Sequence, residues 1–218
     1  MNIFQVYQIL SNHFGKQEWW PTTTTNPKFE IVIGAILTQQ TSWRNVEKAI
    51  RNLKSRGLLL ARRLSSIELS ELETLIKPSG FYKVKARRLK NFLRFLFINY
   101  DGDLEKLLRQ PTRRLRQELL SINGIGKETA DSIILYAAEK PIFVVDAYTF
   151  RMCERLGITD SKNYDTVQKL FQDELPKDKN LFKEFHALIV ELGKNYCKKK
   201  PKCEECPLNS ECEKRLGP

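Results

Sequence analysis

Three groups of residues in this 218-residue chain could do chemistry. Asp146 closes the apolar run PIFVV at 141–145. The tetrapeptide NGIG, Asn123, Gly124, Ile125 and Gly126, lies between two helix-like segments. Cys197, Cys203, Cys206 and Cys212 form a C-x5-C-x2-C-x5-C pattern near the C-terminus. A carboxylate at the end of an apolar run either caps the next helix or is held in place to stabilise positive charge or orient a water molecule. Glycines allow a tight turn and expose backbone N–H groups, and a helix beginning there turns its positive end outward. Together they can hold a phosphate without reading base sequence. A lone Gly-x-Gly is weak evidence, because many helical turns contain one.

Four cysteines so close together argue for a metal centre over disulfides in a reducing compartment. Structural zinc favours two tight C-x2-C pairs, and here only the middle pair is tight. The wider outer gaps suit a [4Fe–4S] cluster, with zinc and a disulfide-linked tail as the alternatives. Between the first two cysteines, KKKPK carries Lys198, Lys199, Lys200 and Lys202 on a loop tethered at both ends. Such a loop could offer positive charge to a phosphate backbone, or be an ordinary solvated charge run. Cys153, beside Met152 in an apolar pattern, reads as a buried core thiol.

The 37 lysines and arginines give a formal net charge of +11, which favours a polyanionic partner. Basic clusters at 83–90, 113–116 and 198–202 are spread along the chain. No apolar run approaches the roughly 18–20 residues needed to span a bilayer. The first twenty residues lack a basic flank followed by an unbroken apolar core, so no signal peptide is expected and a cytoplasmic location is.

The elements that must position these groups are helical. Apolar residues recur at three and four spacing over 29–40, 43–55, 65–77, 83–100 and 103–110. Further helices are expected at 111–122, from 126 to 139, and at 147–156, 164–175 and 180–196. Residues 141–145 could form a strand or a buried connection. The tract TTTT at 22–25 reads as a loop. The fold class is all-α.

With these motifs in order, the chain resembles the endonuclease III superfamily of helix-hairpin-helix DNA glycosylases. The resemblance rests on LLSINGIGKETAD, VVDAYTFRMCERLG, the cysteine quartet, LTQQT at 37–41 and SGFYKVKA at 79–86. It implies a six-helix domain at 23–137 carrying the hairpin. A second domain would join 1–22 to 138–218 with the cluster, and the active cleft would lie between them. The first cysteine gap is one residue shorter than the family's usual spacing.

The resemblance implies that Asp146 is the catalytic carboxylate. It puts Glu128 where bifunctional members carry the lysine that attacks C1′ and forms a Schiff base; Lys127 falls one residue early, on another helical face. A carboxylate cannot form an imine, so a monofunctional glycosylase without lyase activity is expected. By the same resemblance Gln40 fills the gap left by a flipped nucleotide, and Phe81 and Tyr82 wedge the opposite strand. The bland alternatives are a surface residue for Gln40 and a core aromatic for Phe81.

Trp19, Trp20 and Trp43, with GKETAD later, resemble the endonuclease III-like 3-methyladenine DNA glycosylases, which sandwich the damaged base between aromatic rings. The expected base pocket is therefore Trp19, Trp20, Trp43 and Glu128, and the expected partner is duplex DNA with a damaged base, bound by a monomer. N3- or N7-methylation makes a purine cationic, and a cation over a π face gains about 0.5–2 kcal/mol. Such a base is already a good leaving group. The tryptophans could equally be core residues. Where some relatives put a basic pocket residue, EFHALIVELG at 184–193 offers only His186, read as a packing residue. Glycosylases for oxidised pyrimidines, uracil or mismatched thymine, and a non-catalytic DNA-binding module, remain the alternatives.

Overall fold

The computed structural model describes residues 1–17 and 19–214. Glu18 and residues 215–218, which belong to the expected second domain, lie outside the described residues. The chain divides into two compact units, one of Met1–Trp19 with Pro141–Pro218, the other of Trp20–Lys140. The helices are α1 Ile3–Phe14, α2 Pro27–Leu37, α3 Trp43–Ser55, α4 Ala61–Ser66, α5 Leu69–Ile76, α6 Tyr82–Tyr100 and α7 Leu104–Leu108, followed by α8 Thr112–Ser121, α9 Lys127–Ser132, α10 Ala147–Arg155, α11 Tyr164–Glu174 and α12 Lys179–Asn195. No strand occurs among the described residues. None of these helices is long and apolar enough to cross a membrane.

The continuous unit is built around α2, in which every residue from Phe29 to Leu37 is buried. A helix apolar on all sides must be enclosed. Its one buried acid, Glu30, accepts hydrogen bonds from the backbone and hydroxyl of Thr23. The stretch 65–77, expected as one helix, is two. Ile67 and Glu68 are extended, with ψ of 151° and 147°. Lys90 donates to the carbonyls of Leu64, Ser65 and Ile67, which satisfies the end of α4 where the helix stops. The unit therefore carries α2 to α9. After α9 the chain continues through a π-helical turn, Ile133–Ala137.

The other unit packs α1, α10, α11 and α12 around Phe143, Phe171, Phe182 and Phe185. Phe143 stacks on Phe171 at 4.2 Å between centroids. Residues 141–145 are a buried connection without a β partner. Two side chains of α11 take the place of one: Gln172 accepts from the Phe143 N–H, and Gln168 donates to the Phe143 carbonyl at 2.6 Å. This apolar connection delivers Asp146 to the start of α10.

Gly193 lets α12 approach α10 closely. A Cβ there would lie 2.1 Å from the ring of Tyr148, whose other neighbour is the Arg151 guanidinium, 5.0 Å from the ring centroid. Gly193→Ala should therefore cost about 1–3 kcal/mol through overpacking. By calorimetry that is a melting temperature several degrees lower, at roughly 2–4 °C per kcal/mol.

Candidate functional site

Asp146 is both a helix cap and a candidate reagent. Its backbone is extended, and its Oδ1 accepts from the N–H and the hydroxyl of Thr149 at 2.8 and 2.9 Å. Its own N–H donates back to Thr149 Oγ1, completing a capping box. Oδ2 takes no part in the cap and faces His186 Nε2 at 3.7 Å. Burial alone would raise the pKa, but His186 and the two Thr149 donors outweigh it and hold the carboxyl below the ordinary carboxylate range. Its contribution to stability is therefore present above the ordinary carboxylate pKa and is lost as pH falls through the lowered one. The carboxylate is thus ionised, with one oxygen fixed and the other turned to a buried imidazole. His186, read from sequence as a packing residue, is the side chain opposite it; only the helix α12 that carries it could bring it there.

The far end of α10 holds the cysteine loop. Arg151 donates to the Cys197 carbonyl at 2.7 Å, and Arg155 donates to the Lys198 and Lys199 carbonyls. Arg155 also lies 3.3 Å from the Cys197 sulfur, and the Cys212 thiol donates to the Arg155 carbonyl. Lys198, Lys199, Lys200 and Lys202 are exposed on the stapled loop. Cys197, Cys203, Cys206 and Cys212 are free thiols lining one cavity with Arg155, Tyr196 and Lys202. Among the described residues, no three His, Cys, Asp or Glu side chains converge tightly enough for a single metal ion. Burial raises the pKa of Cys206, and the other three thiols raise it further. Cys153 is buried with its thiol pushed up to about 12, an inert core group.

In the other unit the hairpin joins α8 to α9. Gly124 has φ +97°, and a Cβ there would lie 2.3 Å from Arg88 Cγ. Gly126 is different: its φ is −92° and nothing lies within 4 Å of a Cβ built on it. The expectation that both glycines serve the turn is therefore corrected, because only Gly124 adopts a conformation that disfavours a side chain. Ile125 anchors the hairpin in the core, while Asn123, Gly126, Lys127 and Glu128 are exposed. Behind it, Arg116 grips the fully buried Asp131 with two hydrogen bonds of 2.7 and 3.0 Å. Gln39, to which its place in LTQQT gave no role of its own, donates to the Gly124 carbonyl and to Thr129 and accepts from Arg88.

Gln40 and Phe81 share an unusual backbone. Both lie in the left-handed region, at φ 53° and 45°. For bulky residues this costs on the order of 1–3 kcal/mol each. Gln40 is exposed and Phe81 is 65% exposed, so Phe81 is no core aromatic; Tyr82 beside it is half-buried. Lys85, on the first turn of α6, is 1% exposed, and its ammonium donates to the carbonyls of Leu37 and Ser79 at 2.8 and 2.6 Å. Burial, with Arg88 nearby, lowers its pKa to about 8.

Two of the three tryptophans belong to the continuous unit. Trp20 and Trp43 meet edge to face at 5.0 Å and 85°, and Tyr136, on the π turn, joins at 5.3 Å from Trp20. Trp20 also packs over Gly34 of α2. Trp19 belongs to the other compact unit, where the Lys194 ammonium lies over its ring. Perpendicular rings offer no pair of parallel faces, so Trp20 and Trp43 do not sandwich a base in this arrangement. No helical periodicity in the sequence marked Tyr136, because the π turn rotates it away from its α-helical direction.

A glycine hairpin, a capped aspartate and a four-thiol loop on an all-helical frame define a helix-hairpin-helix DNA glycosylase. The model of the HhH-GPD superfamily of base excision DNA repair proteins matches residues 33–177, and the chain belongs to that family, within the endonuclease III superfamily. It is 50% identical over 213 residues to a Methanocaldococcus jannaschii protein provisionally named a DNA repair glycosylase, covering 96% of this chain and 95% of the relative. Among solved structures it is similar to the Helicobacter pylori 3-methyladenine DNA glycosylase bound to 1,N6-ethenoadenine. That match has a TM-score of 0.79 at 30% identity, over 89% of this chain and 98% of the other. A non-covalent endonuclease III–DNA complex matches with a TM-score of 0.83 at 25% identity, over 97% and 94%.

Gly124→Ala should lower stability by about 1–3 kcal/mol, because a strained φ and a clash combine. Gly126→Ala should leave the melting temperature within experimental error. Because the depressed pKa of Lys85 makes its charged form costly, raising pH from about 8 towards 10 should stabilise the wild type relative to Lys85→Met, as read by urea denaturation at each pH.

Proposed function

We propose that the protein is a monofunctional DNA glycosylase that removes alkylated purines, chiefly N3-methyladenine and secondarily N7-methylguanine, from duplex DNA. The observation that carries the reading is the pair of carboxylates: Asp146 is present, capped and ionised, while position 128 holds a glutamate. In the reaction, the bond between C1′ and the base nitrogen breaks and its electrons neutralise the cationic base, which leaves. Positive charge appears on the sugar, and Asp146 Oδ2, not committed to the cap, stabilises it. Water then adds to C1′ and loses its proton, leaving an abasic site. No amine at position 128 is available to form an imine, so the strand stays intact.

The substrate class is supported by the Trp20, Trp43 and Tyr136 group, which supplies π faces to a cation, and by the likeness to the H. pylori 3-methyladenine enzyme. Gln40 and Phe81, exposed and held in strained backbone, would enter the duplex around the flipped nucleotide. The amides of the hairpin and the lysines on the cysteine loop would bind phosphates. Cys197, Cys203, Cys206 and Cys212 fit a [4Fe–4S] cluster better than a single ion. Among the described residues they line one cavity without three of them converging for a single ion, and their mutual repulsion as thiolates calls for a compensating cation. The cluster would supply structural stability to the basic loop, and α10 holds that loop through Arg151 and Arg155.

On methylated duplex DNA the wild type should release 3-methyladenine, seen by chromatography of the freed bases. Asp146→Asn should lose about a thousandfold or more of that rate while duplex binding changes little. Borohydride should trap no covalent adduct, and release of oxidised pyrimidines in place of methylpurines would overturn the substrate assignment. Protein purified without oxygen should contain about four irons per chain, and Cys206→Ala should lower that content; zinc in its place would refute the cluster.

A further inference from the structure

Lys85 has a position that stability alone does not explain. An ammonium enclosed to 1% exposure gives up its hydration, and an apolar side chain of similar length would fill the same space at no such cost. Its partners are what a methionine could not serve. Leu37 is the last residue of α2, and its carbonyl opens the 38–41 loop in which Gln40 is left-handed. Ser79 ends the short 3-10 turn, and its carbonyl immediately precedes Gly80 and Phe81, both left-handed at φ 67° and 45°. One cation therefore holds the last regular carbonyl before each of two strained, exposed residues. The same helix secures Phe81 directly, because the Lys85 N–H donates to the Phe81 carbonyl at 3.0 Å. One turn on, Arg88 donates to Gln39, the neighbour of Gln40.

We propose that Lys85 is a positioning residue for DNA distortion: by clamping the Leu37 and Ser79 carbonyls it holds Gln40 and Phe81 extended before DNA arrives. This rests on the reading above that Gln40 and Phe81 enter the duplex. Without the clamp both loops can relax to unstrained backbone, and the ordering cost then falls on the binding step. The effect belongs to damaged or distorted DNA, since undistorted duplex is held by phosphate contacts that Lys85 does not touch.

The test uses the full chain and two probes, a duplex with a tetrahydrofuran abasic-site analogue and a duplex with 2-aminopurine beside the lesion. Lys85→Met should keep its helical circular dichroism and its affinity for undamaged duplex. It should lose about tenfold of its preference for the abasic analogue, together with the 2-aminopurine fluorescence that reports unstacking. Gln40→Ala with Phe81→Ala should lose the same signal, and adding Lys85→Met to that pair should cause no further loss, because the clamp then has nothing to hold. Additive losses would identify Lys85 as a general structural residue and overturn the proposal. So would a folded Lys85→Met protein that keeps its abasic preference. If the loop variants themselves leave the unstacking signal intact, the role of Gln40 and Phe81 fails and takes the clamp with it. Base release by the wild type tests the glycosylase reading independently of all these variants. Should Lys85→Met not fold, Lys85→Gln provides the same comparisons.

Discussion

Backbone N–H and C=O groups removed from water must find partners, and an all-helical protein has trouble doing so wherever its chain is not helical. Each functional loop here lies in such a place, and long polar side chains from neighbouring helices resolve it. Gln168 and Gln172 satisfy the extended connection that carries Asp146. Arg151 and Arg155 satisfy the carbonyls of the cysteine loop. Gln39 satisfies the hairpin, and Lys85 the starts of the two left-handed loops. The groups that hold the chain together are thus also the groups that fix the loops carrying the proposed reactive and binding residues.

Asp146 shows how one side chain serves both ends. As a cap it closes α10 through Oδ1, which fixes the carboxylate against a rigid helix; Oδ2 stays outside the cap and faces His186. The cap engages one of the two oxygens, so capping and the proposed catalytic role do not exclude each other. The donors of the capping box also help keep the group charged, so capping and ionisation support each other.

Much of the frame was legible from apolar spacing, because burial of one helical face leaves a periodic trace. The helix at 43–55 and those beginning near 82, 112, 147 and 164 follow that trace closely. The break between α4 and α5 was not legible, since it depends on Lys90 arriving from α6. The π turn was invisible for a similar reason: one extra residue in a turn leaves the composition unchanged but redirects Tyr136 towards Trp20. The ring cluster of Trp20 and Trp43 therefore contains a tyrosine that no motif suggested.

The sequence by itself determined the residue types on which the proposed chemistry turns: an aspartate after an apolar run, a glutamate two residues past the second glycine, glycines in a hairpin and four spaced thiols. These are local facts of composition and spacing, and folding cannot alter them. The tertiary structure decided which atoms of those residues remain available and what faces them. It committed one oxygen of Asp146 and turned the other to His186, closed Gly124 but not Gly126 to a side chain by packing Arg88 beneath it, and set Trp20 perpendicular to Trp43. Each of those outcomes is a contact between segments distant along the chain, set by which side chains fill space or satisfy a carbonyl once the helices have packed.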